Sequence, residues 1–189
     1  MTRIFLNGCC GRMGRAISAM ALESDDFEVV AGADIVNNNG FAYPVFESLD
    51  KCDVDFDAII DFSNAKGVPA VIDAALSMNK PLVCCTTGLD EATLAKLQDA
   101  SAKIAVFKSA NMSLGINVLI GLVKQAAKTL YPGFDIEILE AHHRRKLDAP
   151  SGTAMMIANA ISQEIPEEVD YVYDRQSTSG ESVSCLGAV

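Results

Sequence analysis

Residues 3–34 hold the pattern that most limits how this chain can fold. Arg3-Ile4-Phe5-Leu6-Asn7 is a short apolar run, and Gly8, Gly11 and Gly14 punctuate the turn behind it. Ala16, Ile17, Met20, Ala21 and Leu22 then recur at helical spacing, Phe27–Ala33 reads as a second strand, and Asp34 ends it. Strand, glycine turn, helix, strand and acid come in the order of a dinucleotide-binding unit, with glycines spaced Gly-x-x-Gly-x-x-Gly rather than Gly-x-Gly-x-x-Gly. Gly8 permits the tight turn, Gly11 lets backbone approach a pyrophosphate, and Gly14 lets helix and strand pack closely. Asp34 lies where a carboxylate can accept both ribose hydroxyls of an adenosine half. The plainer alternative is a simple strand-to-helix turn in which Asp34 caps the following loop.

Further strands alternate with helices. Strands are expected over 57–63, 81–85 and 104–107, with helices over 68–78, where Pro69 suits the first turn, and over 91–100. Such alternation implies an α/β fold with a parallel sheet and right-handed crossovers, and ligands beyond the carboxyl ends of the strands. The polar tips Asp61–Ser63, Cys85–Thr87 and Ser109–Met112 are then expected to line one crevice. Ser113 opens a long helix that is apolar around most of its circumference, so it is expected to be buried between layers before Tyr131-Pro132-Gly133 stops it. Phe134–Ala141 alternates as a strand, residues 151–163 read as a helix, and Tyr171–Tyr173 as a short strand. The division expected is a dinucleotide-binding domain over 1–112 and a smaller α+β substrate domain over 113–189, short at its C-terminal end.

Both histidines of the chain lie side by side at His142 and His143, followed by Arg144, Arg145 and Lys146. The chain has a formal net charge of −10, so five potentially cationic side chains in a row create a local field opposite to its average. Such a patch gathers anions. Ser151 then stands as the N-cap of an apolar helix, and free N–H groups at a helix start bind carboxylate or phosphate. Cations, proton donors and a helix start within a dozen residues suit a small, multiply anionic substrate. A solvated basic loop is the plain alternative. Neighbours on a strand face opposite ways, so His142 and His143 are poorly placed to share a metal ion, and none is expected.

Half of the 189 residues are hydrophobic and 21% are charged, which allows a packed core. The sequence pI near 4.6 argues against nucleic acid or an anionic membrane as partner. Neither a leader nor a membrane-spanning run is read in the sequence, so a cytoplasmic location is expected. The six cysteines, Cys9, Cys10, Cys52, Cys84, Cys85 and Cys185, show no Cys-x-x-Cys spacing. They are read as small apolar residues in a reducing compartment.

Taken together, Gly8-x-x-Gly11-Arg12-Met13-Gly14, Asp61-Phe62-Ser63, Thr86-Thr87-Gly88, Ala110-Asn111-x-Ser113-x-Gly115-x-Asn117 and Glu140-Ala141-His142-His143-Arg144-x-Lys146-x-Asp148-Ala149-Pro150-Ser151-Gly152-Thr153 resemble the dihydrodipicolinate reductase family. The likeness runs over roughly residues 3–175, and its last motif is long and specific. It implies NAD(P)H-dependent reduction of 4-hydroxy-tetrahydrodipicolinate, a cyclic dicarboxylate, on the route to diaminopimelate and lysine, and a homo-tetramer. It also implies His142 as proton donor with Lys146 as its catalytic partner, and His143, Ser151, Gly152 and Thr153 on the substrate carboxylates. Gly8, Cys9, Cys10, Gly11, Arg12 and Met13 would cradle the pyrophosphate and Asp34 the ribose. Cys85, Thr86, Thr87, Ser109, Ala110, Asn111 and Met112 would meet the nicotinamide half. Asp34 repels a 2′-phosphate, so NADH is expected to be preferred, with NADPH tolerated. The family usually has Gly where Cys85 stands, and its members continue beyond residue 189. Two other readings stay open: a different nicotinamide-dependent semialdehyde or amino-acid dehydrogenase, and a shortened NADH-binding protein without turnover.

Overall fold

The computed structural model describes residues 1–36, 40–142, 144 and 149–172. Two compact units divide it, Met1–Ser109 and Ala110–Val189. In the first unit the strands are β1 (Thr2–Asn7), β2 (Phe27–Ala33), β3 (Val45–Phe46), β4 (Ala58–Asp61), β5 (Leu82–Cys84) and β6 (Val106–Lys108). They form one parallel sheet in the order β3-β2-β1-β4-β5-β6. Helices α1 (Arg12–Leu22), α2 (Val68–Met78) and α3 (Glu91–Ser101) connect them. The order runs outward from β1 in both directions. With right-handed crossovers, α1 therefore covers one face, and α2 and α3 the other.

Local chemistry explains the element bounds. Helix α2 carries Pro69 in its first turn, where no intrahelical N–H is missed, and ends at Asn79 in the left-handed conformation (φ 51°). Helix α3 is capped by Asp90, whose carboxylate accepts the Thr93 N–H at 2.8 Å. Strands buried on both faces read as continuous apolar runs, and Phe5, Leu6 and Ile59 are wholly buried in the sheet. Val68, Ile72, Ala75 and Leu97 close over Phe5 and Ile59 from the helices. Each large side chain of this set contributes on the order of 1.5–3 kcal/mol by leaving water.

The second unit contains α4 (Leu114–Leu130), capped by Ser113, and α5 (Gly152–Ser162), capped by Ser151, with the two helices packed together. Two expectations fail here. Phe134–Ala141, expected as a strand, is not part of a β-ladder among the described residues; alternation alone makes no strand without a neighbouring strand. Tyr171 and Val172 likewise form no strand, and Tyr173 lies outside the described residues. Helix α4 is expected from its sequence to be buried between layers, yet Leu114 is 80% and Leu122 64% exposed, and Ala127 is its one buried residue. Within this unit α4 packs on α5, and one stripe of the helix suffices for that contact. No described helix is long and apolar enough to cross a membrane.

Candidate active site

The first unit holds a cleft of about 1150 Å³ at the carboxyl ends of β1 and β2. Gly8, Cys10, Gly11 and Asp34 line it, with Arg15 and Asn64. Gly8 has φ +80°, and a Cβ there would stand 2.4 Å from the Phe62 carbonyl oxygen, so only glycine turns the chain at this point. A Cβ on Gly14 would meet the Gly8 oxygen at 2.4 Å and the Cys9 Cα at 2.5 Å, which fixes how closely α1 approaches the loop. Helix α1 has Gly11 as N-cap and no side-chain cap, so its first N–H groups, at Arg12 and Met13, are left by the helix ladder to an outside acceptor. Asp34 is held by two amides, Cys10 N–H at 2.9 Å and Val36 N–H at 3.1 Å, one to each carboxylate oxygen. The glycine loop and the acid behind β2 are thus locked in register, with lone pairs left on the acid for hydroxyls. This is a cradle that fits a dinucleotide: open amides for a pyrophosphate, space where side chains are forbidden, and an oriented carboxylate. Cys9, by contrast, is wholly buried beneath the loop.

Cys85–Thr87 do not line this cleft. Cys85 and Thr86 are buried and Thr87 is exposed. Burial, with Cys84 and Asp61 adding to it, pushes the Cys85 thiol up to about 12, so it behaves as a small apolar group. Thr86 turns inward to Asp61, which the sequence placed on a polar tip expected to line the crevice. The Asp61 carboxylate is fully buried at the end of β4. Its Oδ1 accepts from Asn7 Nδ2 at 2.7 Å and Ser63 Oγ at 2.6 Å, and its Oδ2 from Thr86 Oγ1 at 2.6 Å. One side chain therefore ties the ends of β1, β4 and β5 together. The sheet order, which makes β4 the neighbour of both others, is the signal that could have found it.

In the second unit the cationic segment is described at His142 and Arg144; His143, Arg145, Lys146, Leu147 and Asp148 lie outside the described residues. His142 is 40% exposed, and its Nε2 meets Glu140 Oε2 at 2.7 Å. The other oxygen of Glu140, Oε1, accepts the Ser151 N–H at 2.8 Å. Glu140, only 12% exposed, so joins the histidine ring to the start of α5. It was overlooked as a functional residue, although a carboxylate two positions before a histidine on extended backbone shares its side of the chain. Burial raises the Glu140 carboxyl, but the bonds from Ser151 and His142 outweigh that and hold it below its ordinary value of 4.5.

Ser151 is spent on the fold: its N–H goes to Glu140 and its Oγ caps the Ala154 N–H at 3.0 Å. Half-buried Gly152 and Thr153 follow at the first helical positions. Asn111 Nδ2 donates to Thr153 Oγ1 at 2.9 Å, and Asn111 Oδ1 accepts the Ser113 N–H at 2.7 Å. Residues assigned from sequence to a cofactor set and to a substrate set are in direct contact here, at the starts of α4 and α5.

Family comparison decides what these two sites belong to. Residues 2–112 match the model described as dihydrodipicolinate reductase, N-terminus, and residues 115–184 the model described as dihydrodipicolinate reductase, C-terminus. The chain belongs to the dihydrodipicolinate reductase family. The 4-hydroxy-tetrahydrodipicolinate reductase of Caldanaerobacter subterraneus subsp. tengcongensis is 50% identical over 175 residues, 93% of this chain and 69% of that protein. That of Clostridium tetani is 41% identical over 187 residues, 99% of this chain and 73% of that protein. Among solved structures, the dipicolinate-bound dihydrodipicolinate reductase of Paenisporosarcina sp. TG-14 matches with a TM-score of 0.74 at 24% identity, over all of this chain and 78% of that one. This last likeness concerns the fold, and it agrees with the dihydrodipicolinate reductase architecture of a parallel sheet unit followed by a second unit.

Proposed function

We propose that the chain catalyses the NAD(P)H-dependent reduction of 4-hydroxy-tetrahydrodipicolinate to tetrahydrodipicolinate, the reductive step on the route to diaminopimelate and lysine. Residues 1–112 bind the dinucleotide and residues 113–189 bind the substrate and supply the proton. The observation that carries the reading is the Glu140 bridge, which fixes a histidine beside a helix start within the family's longest motif.

The reduced dinucleotide, when bound, supplies the hydride. The chain's own groups do the rest. The amides of the Gly8–Met13 turn and the start of α1 neutralise the pyrophosphate, and Asp34 accepts the ribose hydroxyls. Cys85, Thr86, Thr87, Ser109, Ala110, Asn111 and Met112 meet the nicotinamide half. The amides of Gly152 and Thr153, together with His143, take the substrate carboxylates. With Nε2 held by Glu140, Nδ1 is the ring nitrogen of His142 that faces away from the bridge and passes a proton to the substrate. Lys146 adds positive charge to the same patch. Protonating the substrate as negative charge builds up on it lowers the barrier.

Steady-state NADH oxidation with enzymatically generated 4-hydroxy-tetrahydrodipicolinate tests the reading. Quenching of NADH fluorescence without turnover would replace it by a dinucleotide-binding role alone. NADH is the preferred coenzyme and NADPH is tolerated, because the Asp34 carboxylate repels a 2′-phosphate. Asp34→Ala is expected to raise KM for NADH by roughly 10- to 100-fold, the weight of a charged hydrogen bond. KM for NADPH should change less, so the ratio of the two KM values is the measurement.

The Glu140 bridge also predicts a pH dependence. A carboxyl that is held more acidic in the folded chain than in the unfolded one binds fewer protons when folded. Its stabilisation is fully present above the ordinary value of 4.5 and is lost as pH falls through the lowered folded value. Urea unfolding of wild type and Glu140→Gln should differ most near neutral pH, and the two curves should converge as the pH is taken well below 4.5.

A further inference from the structure

The glycine loop carries a feature that dinucleotide binding does not use. Cys9 and Cys10 occupy its second and third positions, and their sulfurs stand 4.0 Å apart. The Asp34 carboxylate lies beside them, and one ligand atom from each of the three residues falls within 4.8 Å of the others. Two sulfurs sharing a tetrahedral zinc at about 2.3 Å would be separated by about 3.8 Å. The observed spacing is within a few tenths of an ångström of that figure. We propose that Cys9, Cys10 and Asp34 form a binding site for a thiophilic divalent cation of the zinc and cadmium class, and that filling it excludes the dinucleotide.

The donor set selects the class of ion. Two thiolates and one carboxylate favour zinc or cadmium over magnesium or calcium, which take oxygen ligands in larger numbers. The surroundings fit a cation as well. Cys10 and Asp34 line the open cleft, so an ion can enter and keep a fourth position for water. Arg15 directs Nε to the Cys10 carbonyl oxygen at 3.0 Å. A thiol binds a cation of this class as its thiolate. Loading is therefore an exchange in which the cation forms two metal–sulfur bonds and two thiol protons leave to solvent. Exclusion of the dinucleotide follows because Asp34 cannot serve both metal and ribose, and because Cys10 lies on the wall that the pyrophosphate must approach. Spacing in the sequence hides this site, since Asp34 is brought to the cysteines only by the pairing of β1 with β2.

Exclusion rests on the dinucleotide reading above; cation binding does not. The test is a cadmium titration of the metal-free full chain, followed by its near-ultraviolet thiolate-to-cadmium absorption. One cadmium with two thiolates is expected, and affinity should fall at least 10-fold in Cys10→Ser and in Asp34→Asn, each checked for folding by circular dichroism. An absorption of unchanged midpoint and intensity in folded Cys10→Ser would place the metal on other cysteines and overturn the site. In wild type, which needs no variant, NADH should displace cadmium and cadmium should abolish the NADH fluorescence response, and zinc should do the same. Simultaneous binding of both overturns the exclusion. If NADH does not bind even without metal, the coenzyme reading and the exclusion fail together, and the cadmium–thiolate result still stands or falls by itself.

Discussion

His142→Gln is expected to lower turnover by about 10²–10⁴ while leaving KM for NADH nearly unchanged, the usual loss when a positioned proton-transfer group is removed. Glutamine keeps a donor that can reach Glu140 Oε2, so the bridge to Ser151 and the start of α5 should survive. What it lacks is a second ring nitrogen to pass a proton on to the substrate. Lys146→Ala is expected to fall in the same range by weakening the same patch. Initial rates at saturating substrate, with KM values measured alongside, separate the roles. A change confined to substrate KM would make His142 a binding residue and remove the proton-transfer assignment.

The second large effect falls on stability. Asp61→Ala leaves the donors of Asn7, Ser63 and Thr86 facing a buried void. An unsatisfied buried polar group costs about 1–3 kcal/mol, so a loss on the order of 3–5 kcal/mol is expected once the three relax in part. Asp61→Asn should recover most of it. The amide oxygen can keep Asn7 and Ser63, and the Thr86 hydroxyl can rotate to accept from the amide nitrogen. Urea midpoints of the two variants measure the difference, and equal midpoints would show that the carboxylate is not a tie between strands. Because the tie sits at the ends of β1, β4 and β5, NADH affinity should fall in Asp61→Ala and return in Asp61→Asn.

Much of the first unit was legible in the sequence. Helix α2 was bounded at 68–78 because Pro69 marks its start and its apolar positions keep one period. The sheet followed from alternating strands and helices, since buried parallel strands announce themselves as apolar runs. What periodicity cannot carry is partnership. Phe134–Ala141 alternates as a strand does, and α4 is apolar around most of its circumference, but whether each finds a neighbour depends on residues far away along the chain. The sites divide in the same way. The glycines, Asp34 and His142 were named from motifs, each with a local job. Asp61 was read only as part of a crevice-lining tip and Glu140 was given no task, because their work is to join segments that meet only in space.

The outer strands of the sheet bear on the protein's behaviour when crowded. At one border β3 offers two residues and at the other β6 offers three, the last of them Lys108. Exposed Phe107 would attract a foreign chain, but so brief a ladder beside a charge gives it little backbone to grip. Fibril-like growth from either margin should therefore be hard to seed while this unit stays folded.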